Sequence, residues 1–205
     1  MAADIDGIGP RLTERGRATR ARIVQAAADL MFRQGVAGTS IPDVLAAAGV
    51  SASQLYHYFD DKQALVRAVI AHQTAFALDV QARFPLDTPA ALRAWRDAIL
   101  ALQEQRNCTG GCVIGSLASE LADCDPQARA DLEDGMARWE RAIEDGLTAM
   151  RDRGELRPDA DPAELALVLL TALQGGLLMT QVRREPTPIR VALDAAIAHV
   201  ESFAV

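Results

Sequence analysis

The sequence predicts an all-α fold of nine helices, and three observations support the prediction. Apolar residues recur at helical spacing through most of the 205-residue chain, and no stretch alternates with period two for long enough to indicate a strand. Half of the residues are apolar, so the chain can bury a sizeable core. Capping residues precede prolines at four sites, which are Thr88-Pro89, Asp125-Pro126, Asp161-Pro162 and Thr187-Pro188.

The first two helices are marked by their ends. An amphipathic helix is predicted over residues 20–34, and Gly35 stops it. Thr39 and Ser40 then offer hydroxyls that can accept the first free amide protons of a second helix, and Asp43 completes a capping box. Gly49 ends this second helix, because glycine readily adopts the left-handed conformation of a helix C-terminus.

A third helix follows after a short turn. Ser51 and Gln54 repeat the capping pattern, and Leu55 and Phe59 lie four residues apart on one face of the new helix. Two short helices joined by a turn with a glycine have the spacing of a helix-turn-helix. In that motif the second helix offers its N-terminal side chains to the DNA major groove.

Polar side chains are concentrated around this motif. Gln54 can form paired hydrogen bonds to an adenine edge, and its neighbours can donate to phosphates or bases. The alternative is that Tyr56 and His57 pack between helices. The complete predicted DNA-binding set is Thr39, Ser40, Ser51, Ser53, Gln54, Tyr56, His57 and Lys62.

The stretch from Thr19 to Val69 resembles the DNA-binding domain of the tetracycline-repressor (TetR) family of one-component regulators. The resemblance depends on the leading helix, the Gly35 stop, the turn AAGVS and the ending LYHYFDDK. It implies a DNA-binding domain followed by a helical ligand-binding and dimerisation domain.

Six further helices are predicted after Phe59. Asp60 and Gln63 form a third capping pattern that opens a long helix, which Pro85 stops near Phe84. This helix links the two domains. The remaining helices are predicted near 89–105, 112–122, 126–153, 162–183 and 188–203. The predicted domains are a flexible basic arm at 1–18, the DNA-binding domain with its linker helix at 19–80, and the C-terminal domain at 81–205.

Charge is distributed unevenly along the chain. The formal net charge is −7, but residues 11–59 carry six Arg against three carboxylates. From Phe76 to the end, 13 Arg face 21 carboxylates, so the basic end is the predicted DNA end. The arm, with Arg11, Arg15, Arg17 and Arg20, is expected to lie along phosphates or in a minor groove, or else to be only a solubilising tail.

The C-terminal part shows no catalytic constellation, and neither a cofactor nor a metal site is predicted. An enzyme is therefore not expected. Large apolar side chains on converging helices indicate a ligand cavity, with ordinary core packing as the alternative. The segment from Cys108 to Ala122 resembles the G-C-x-x-G-x-L-A-x-E stretch of one TetR branch, where it forms a helix beside the effector pocket, and Cys112 would lie in the first turn of that helix. The predicted ligand-binding set is Phe76, Trp95, Ile99, Cys112, Leu117, Met136 and Trp139.

The last two helices carry broad apolar stripes, and the resemblance implies that they pair with their two-fold mates. Ala172 and Gly176 are expected in that seam. The sequence thus predicts a homodimeric repressor that leaves a palindromic operator when a small apolar or reactive ligand binds. The rival class is a helical ligand-binding or interaction protein that does not read DNA.

The chain is expected to act in the cytoplasm and not in a membrane. No segment reads as a signal peptide, and three cysteines match no disulfide framework. The most apolar stretch, residues 165–179, is shorter than the ~20 residues that a membrane span requires.

Overall fold

The computed structural model describes residues 12–205 and confirms the all-α fold. These residues form nine helices, and one isolated antiparallel bridge joins Leu156 to Ala204. The helices are α1 (Glu14–Gln34), α2 (Ile41–Ala48), α3 (Ala52–Tyr56), α4 (Lys62–Gln81), α5 (Pro89–Gln105), α6 (Val113–Leu121), α7 (Pro126–Asp152), α8 (Pro162–Arg183) and α9 (Thr187–Glu201).

Three of the four proline-led helix starts are confirmed. Thr88, Asp125 and Asp161 each accept backbone N–H groups with their side chains, directly before a proline in the first turn. The fourth prediction is wrong in detail, because α9 begins at Thr187 itself and has no side-chain cap. The cap of α4 also differs from the prediction, since Asp61 accepts the amide of Ala64.

Helix α1 is longer than predicted and α4 is shorter. Thr13 accepts the amide of Gly16, so α1 begins at Glu14 and includes residues 14–18 of the predicted arm. Arg15, Arg17 and Arg20 therefore lie on a helix, whereas Arg11 lies outside the described residues. The end of α4 tightens after Gln81, whose side-chain amide donates to the carbonyl of Phe84.

The buried residues form two cores, and the first of them takes residues from both sides of residue 80. The N-terminal core contains α1 to α4, and it also takes Ile114, Leu117 and Leu121 from α6 and Leu132 from α7. The second core contains α5, the rest of α7, α8 and α9. Helix α6 and the first turns of α7 thus complete the core of the N-terminal domain.

Helix α8 is packed inside the second core. It has 22 residues and is the one helix within residues 12–205 that is long and apolar enough, by length and composition, to cross a membrane. The predicted stretch 165–179 is thus the central part of a longer apolar helix. Leu165, Leu169 and Leu173 are buried, and they pack with the buried residues of α7 and α9 as a core helix does.

One small residue of α8 has a different role from the predicted one. A Cβ at Gly176 would lie 2.6 Å from Cδ1 of Ile189 in α9 of the same chain. Gly176 therefore allows the close approach of α8 and α9 within one subunit. Ala196 of α9 is also buried. The expectation that Gly176 lies in a seam between two subunits is wrong.

Candidate DNA interface and ligand cavity

Helices α2 and α3 form a helix-turn-helix with a cap at each start. Ser40 accepts the amide of Asp43 while the Asp43 carboxylate accepts from the Ser40 amide and hydroxyl, and these hydrogen bonds lower the pKa of Asp43. Ser51 and Gln54 form the same reciprocal pair at α3. Between them Gly49 adopts the left-handed conformation, with φ 63°.

The motif buries one face and leaves the other exposed. Leu55 and Phe59 pack in the N-terminal core, as predicted. The opposite face of α3 presents exposed side chains from four of its positions, so Tyr56 and His57 do not pack between helices within this chain. The exposed set on and around α3 is Ser51, Ser53, Gln54, Tyr56 and His57.

Two of the predicted DNA-binding side chains form hydrogen bonds within the chain. Thr39 is only 1% exposed and its hydroxyl donates to the carbonyl of Gly35 at 2.7 Å, so its predicted contact with DNA is wrong for this conformation. Gln54 is exposed, but its side-chain oxygen accepts the amide of Ser51 at 2.9 Å. The amide group of Gln54 remains available to DNA.

Lys62 connects the start of α4 to the turn between α1 and α2. Its Nζ donates to the carbonyl of Val36 at 2.7 Å, and the side chain is half-buried. Arg22 of α1 similarly donates to the carbonyl of Ala48 at the end of α2. These contacts fix the helix-turn-helix against the helices that flank it.

The same turn is held from the other domain. Glu120, near the end of α6, accepts the amide of Val36 at 2.8 Å. A Cβ at Gly35 would lie 3.0 Å from Oε1 of Glu120, and Gly35 has φ 78°. Only glycine therefore suits this position, both for its backbone angle and for the approach of the carboxylate.

Two further contacts join the domains. The ring of Phe32 in α1 lies so close to Gly110, in the turn between α5 and α6, that a Cβ there would overlap it. Arg67 of α4 forms an ion pair with Asp131 of α7 at 2.7 Å, which raises the pKa of the guanidinium. The junction is thus built from α1, α4, α6, α7 and the α5–α6 turn.

A cavity of about 480 Å³ opens between α4, α5, α6, α7 and α8. Five of the seven predicted ligand-binding residues line it, namely Phe76, Trp95, Ile99, Cys112 and Trp139. The other apolar lining comes from residues such as Val80, Phe84, Ile114, Leu173 and Leu177. This volume and this lining are typical of a small-molecule site.

Leu117 and Met136 do not line the cavity, so their predicted ligand contacts are wrong. Leu117 is buried in the N-terminal core, and Met136 packs against the same core. Other residues of the same two helices, such as Ile114 of α6 and Trp139 of α7, do line the cavity. Sequence spacing places a residue on a helix face, but it does not show which of two cores that face meets.

Cys112 lies at the point where cavity and junction meet. It caps α6, with its Sγ 3.4 Å from the amide nitrogen of Gly115, and its side chain is half-buried. Cys108 is buried and Cys124 is exposed, and all three are free thiols. From Cys112 the single helix α6 leads to Glu120 at the junction.

Two family models match the chain over most of its length. The model described as bacterial regulatory proteins, tetR family, matches residues 23–69. The model described as tetracyclin repressor-like, C-terminal domain, matches residues 88–196. The chain belongs to the TetR family.

TetR-family relatives match along most of this chain. An uncharacterised HTH-type transcriptional regulator in the lacX 3′ region of Lactococcus lactis subsp. lactis is 30% identical over 175 residues, which are 82% of this chain and 86% of that protein. The transcriptional regulator AcuR of Cereibacter sphaeroides is 26% identical over 171 residues, with 82% and 78% covered. The crystal structure of a TetR transcriptional regulator from Chloroflexus aurantiacus J-10-FL has a TM-score of 0.81 at 25% identity, with 94% and 98% covered.

Membership of the TetR family gives the helix-turn-helix its role. The chain is a transcriptional regulator with a DNA-binding N-terminal domain, and its relatives are regulators rather than enzymes. Within residues 12–205, no cluster of three or more His, Cys, Asp or Glu side chains is placed to bind a metal.

Sequence reasoning missed the polar lining of the cavity in this TetR-family chain. Gln81 accepts the indole N–H of Trp139 at 3.0 Å, and both side chains line the cavity. Gln103 and Arg106 line it as well. The signal was present, because Gln103 lies at helical spacing from Trp95 and Ile99 on α5, and Arg106 follows directly after the end of that helix.

Proposed function

We propose that this chain is a homodimeric, cytoplasmic repressor that leaves a palindromic operator when a small, largely apolar molecule enters the cavity. The observation that carries the proposal is that one short helix connects the cavity to the DNA-binding domain. Cys112 caps α6 at the cavity, and Glu120 holds the amide of Val36 at the other end, about 12 Å away for eight residues.

The exposed face of α3 supports the proposed recognition of DNA. Ser53, Gln54, Tyr56 and His57 are all exposed, and they have the donors and acceptors that base edges and phosphates require. A single five-residue helix reads few base pairs. Two-fold related copies double the length of the site, which is why the operator is proposed to be palindromic.

The outer faces of α8 and α9 support the proposed dimer. Large apolar side chains are exposed there although they lie on the most apolar helices of the chain. They are Leu167, Leu178, Met179, Val182 and Val191, each between 42% and 69% exposed. Covering these side chains with the same helices of a second copy would remove them from water.

Ligand entry would act on the turn between α1 and α2 through two contacts. The first is Glu120 with Val36, and the second is Gly110 with Phe32. Because Lys62 holds the carbonyl of Val36, a shift of this residue also reaches the start of α4. The proposed effect of ligand is to change the spacing of the two α3 helices in the dimer.

We also propose that this chain belongs to the TetR branch with the G-C-x-x-G-x-L-A-x-E sequence, which its residues 111–120 match. The Cys and the Glu of this sequence lie at the two ends of α6, one at the cavity and one at the turn between α1 and α2. The cavity is proposed to bind its ligand reversibly and by shape. Covalent modification of Cys112 is the alternative, because its thiol lines the cavity.

The test is operator release. Purified protein is titrated onto labelled DNA from upstream of its own gene and onto scrambled DNA, at two salt concentrations. Native mass spectrometry of protein from its host identifies retained ligand, which is then added back. We expect specific binding by a dimer and release by the ligand. Equal affinity for both DNAs would favour a helical ligand-binding protein that does not read DNA.

A further inference from the structure

The charge of the cavity lining differs from the charge of the domain around it. From Phe76 to the end the chain carries 21 carboxylates against 13 Arg. Among the described residues that line the cavity there is no Asp or Glu, whereas Arg83 and Arg106 are both present. The cavity is therefore cationic inside an acidic domain, which favours an anionic ligand over a cationic one.

Two polar side chains of the lining are largely buried, although they face the cavity. Trp95 and Gln103 are each only 3% exposed, and both line the cavity. The other pair in the lining, Gln81 and Trp139, satisfy each other. The indole N–H of Trp95 can donate a hydrogen bond to a molecule in the cavity, and the amide of Gln103 can both donate and accept one.

Gln103 and Arg106 define one end of the cavity. Gln103 lies in the last turn of α5, Arg106 is the residue directly after the helix, and both line the cavity. The guanidinium of Arg106 is exposed and forms no ion pair with a carboxylate of the described residues. The backbone carbonyls of this last turn are already occupied, since Arg106, Asn107 and Cys108 donate to three of them.

The rest of the same helix face is apolar. Ile99 lies between Gln103 and Trp95, and Leu173 and Leu177 of α8 also line the cavity. Eleven residues separate Trp95 from Arg106, which is about 16 Å along the helix axis. The cavity thus presents an elongated apolar wall that ends at an amide and a guanidinium.

We propose that the effector is an amphipathic anion. Its carboxylate, or an anionic group of similar geometry, binds Arg106 and Gln103, and its apolar body lies along Ile99 towards Trp95. The inference rests on the proposed function, because it takes this cavity as the effector site. It goes further by stating the charge and the orientation of the ligand.

Tryptophan fluorescence measures occupancy of the cavity directly. The chain has two Trp residues, Trp95 and Trp139, and both line the cavity. The probes are decanoate, decanol and decylamine, which share an apolar chain and differ in charge. We expect decanoate to bind about tenfold more tightly than decanol, because charge-assisted hydrogen bonds exceed neutral ones, and decylamine to bind most weakly.

Substitutions locate the anionic group. Arg106→Gln should abolish the preference for decanoate and leave the affinity for decanol unchanged, since Arg106 is exposed and its removal leaves the fold intact. Gln103→Leu should weaken decanoate severalfold, with thermal unfolding as a check on folding. The control is Arg141→Gln, which removes an equal charge from an exposed position outside the cavity.

The proposal is overturned if decanoate shows no preference over decanol, if the preference survives Arg106→Gln, or if none of the probes changes the fluorescence. Operator binding is measured separately with each probe. Arg106-dependent binding without DNA release supports the anion site and contradicts the proposed function. If decanol and decanoate bind the protein with equal affinity and release DNA at equal concentrations, the proposed function is supported and the anion site is contradicted.

Discussion

The carboxylate of Glu120 accepts a hydrogen bond from the backbone amide of Val36, with 2.8 Å between Oε2 and N. The two residues belong to different domains and are 84 positions apart in the sequence. Val36 is buried, so its amide has no ready substitute for this partner. Glu120→Ala should therefore cost about 1–3 kcal/mol of unfolding free energy, measured by urea denaturation.

Glu120→Ala should also reduce the response to ligand. We expect operator affinity without ligand to change little, while the ratio of affinities with and without ligand falls by a factor of roughly 5 or more. The measurement is fluorescence anisotropy on operator DNA. Glu185→Ala is the matched control, because Glu185 is exposed and lies outside both the junction and the cavity. If the ratio is unchanged in Glu120→Ala, α6 does not transmit the effect of ligand to the DNA-binding domain.

Gly35→Ala tests the approach of Glu120 to the turn. The φ of 78° disfavours any side chain, and the new Cβ would meet the carboxylate at 3.0 Å. Gly154→Ala is the control, since Gly154 has a similar φ of 74° but no atom lies within 4 Å of the Cβ that alanine would add. We expect a loss of about 1 kcal/mol for Gly154→Ala and a larger loss, with a weaker ligand response, for Gly35→Ala. Equal losses would show that the carboxylate moves aside freely.

Gln54 has two roles, and one substitution separates them. Gln54→Glu keeps an oxygen that accepts the amide of Ser51, but it removes the side-chain NH₂ that can donate to a base. Affinity for all DNA should fall because of the added negative charge. In addition, discrimination at one base position should fall by about 1–3 kcal/mol, measured on a panel of operator variants. If the ranking of variants is unchanged, Gln54 caps α3 without reading DNA.

The proposed dimer is tested on the exposed faces and not in the seam between α8 and α9. Leu178→Arg and Val182→Glu change side chains that are 60% and 69% exposed, so the subunit should fold normally but sediment as a monomer. Operator affinity should fall with the loss of the second copy. Val205→Glu, at an exposed apolar position near the C-terminus, is the control. A dimer in both variants would place the interface elsewhere.

Cys112→Ser distinguishes reversible from covalent ligands. Serine also caps helices, so α6 should remain intact and the ligand response should stay nearly unchanged. Trp95→Ala should weaken the response without weakening operator binding in the absence of ligand. Maleimide labelling of the three thiols provides the independent measurement. If Cys112 reacts faster than the exposed Cys124, and if Cys112→Ser abolishes induction, the ligand is covalent.

Local signals in the sequence predicted local structure well. The capping residues Ser40, Ser51 and Asp161 and the left-handed Gly49 occur where the sequence placed them, because a cap depends on neighbours within three or four positions. The start of α1 was missed, since Thr13 resembled other polar residues of a basic tail.

Tertiary features were less accessible from the sequence. Leu117 and Gly176 have the spacing of a cavity wall and of a dimer seam, yet one lies in the N-terminal core and the other faces α9 of its own chain. Helical spacing fixes which residues share a face, but the partner of that face depends on how the helices fold back on one another. The contact of Glu120 with Val36 has no local signal at all.

The shared N-terminal core also constrains how this protein can be engineered. Ile114, Leu117, Leu121 and Leu132 complete the packing of α1 to α4, although they belong by sequence to the sensing half. In a chimera joined at residue 80, the DNA-binding domain would meet a foreign α6 and α7. The apolar residues of α1 to α4 that pack against the native α6 and α7 would then lose these contacts. A biosensor built from this protein should therefore keep α6 and the first turns of α7 together with the DNA-binding domain. Only the segments that line the far side of the cavity should be replaced by those of another regulator.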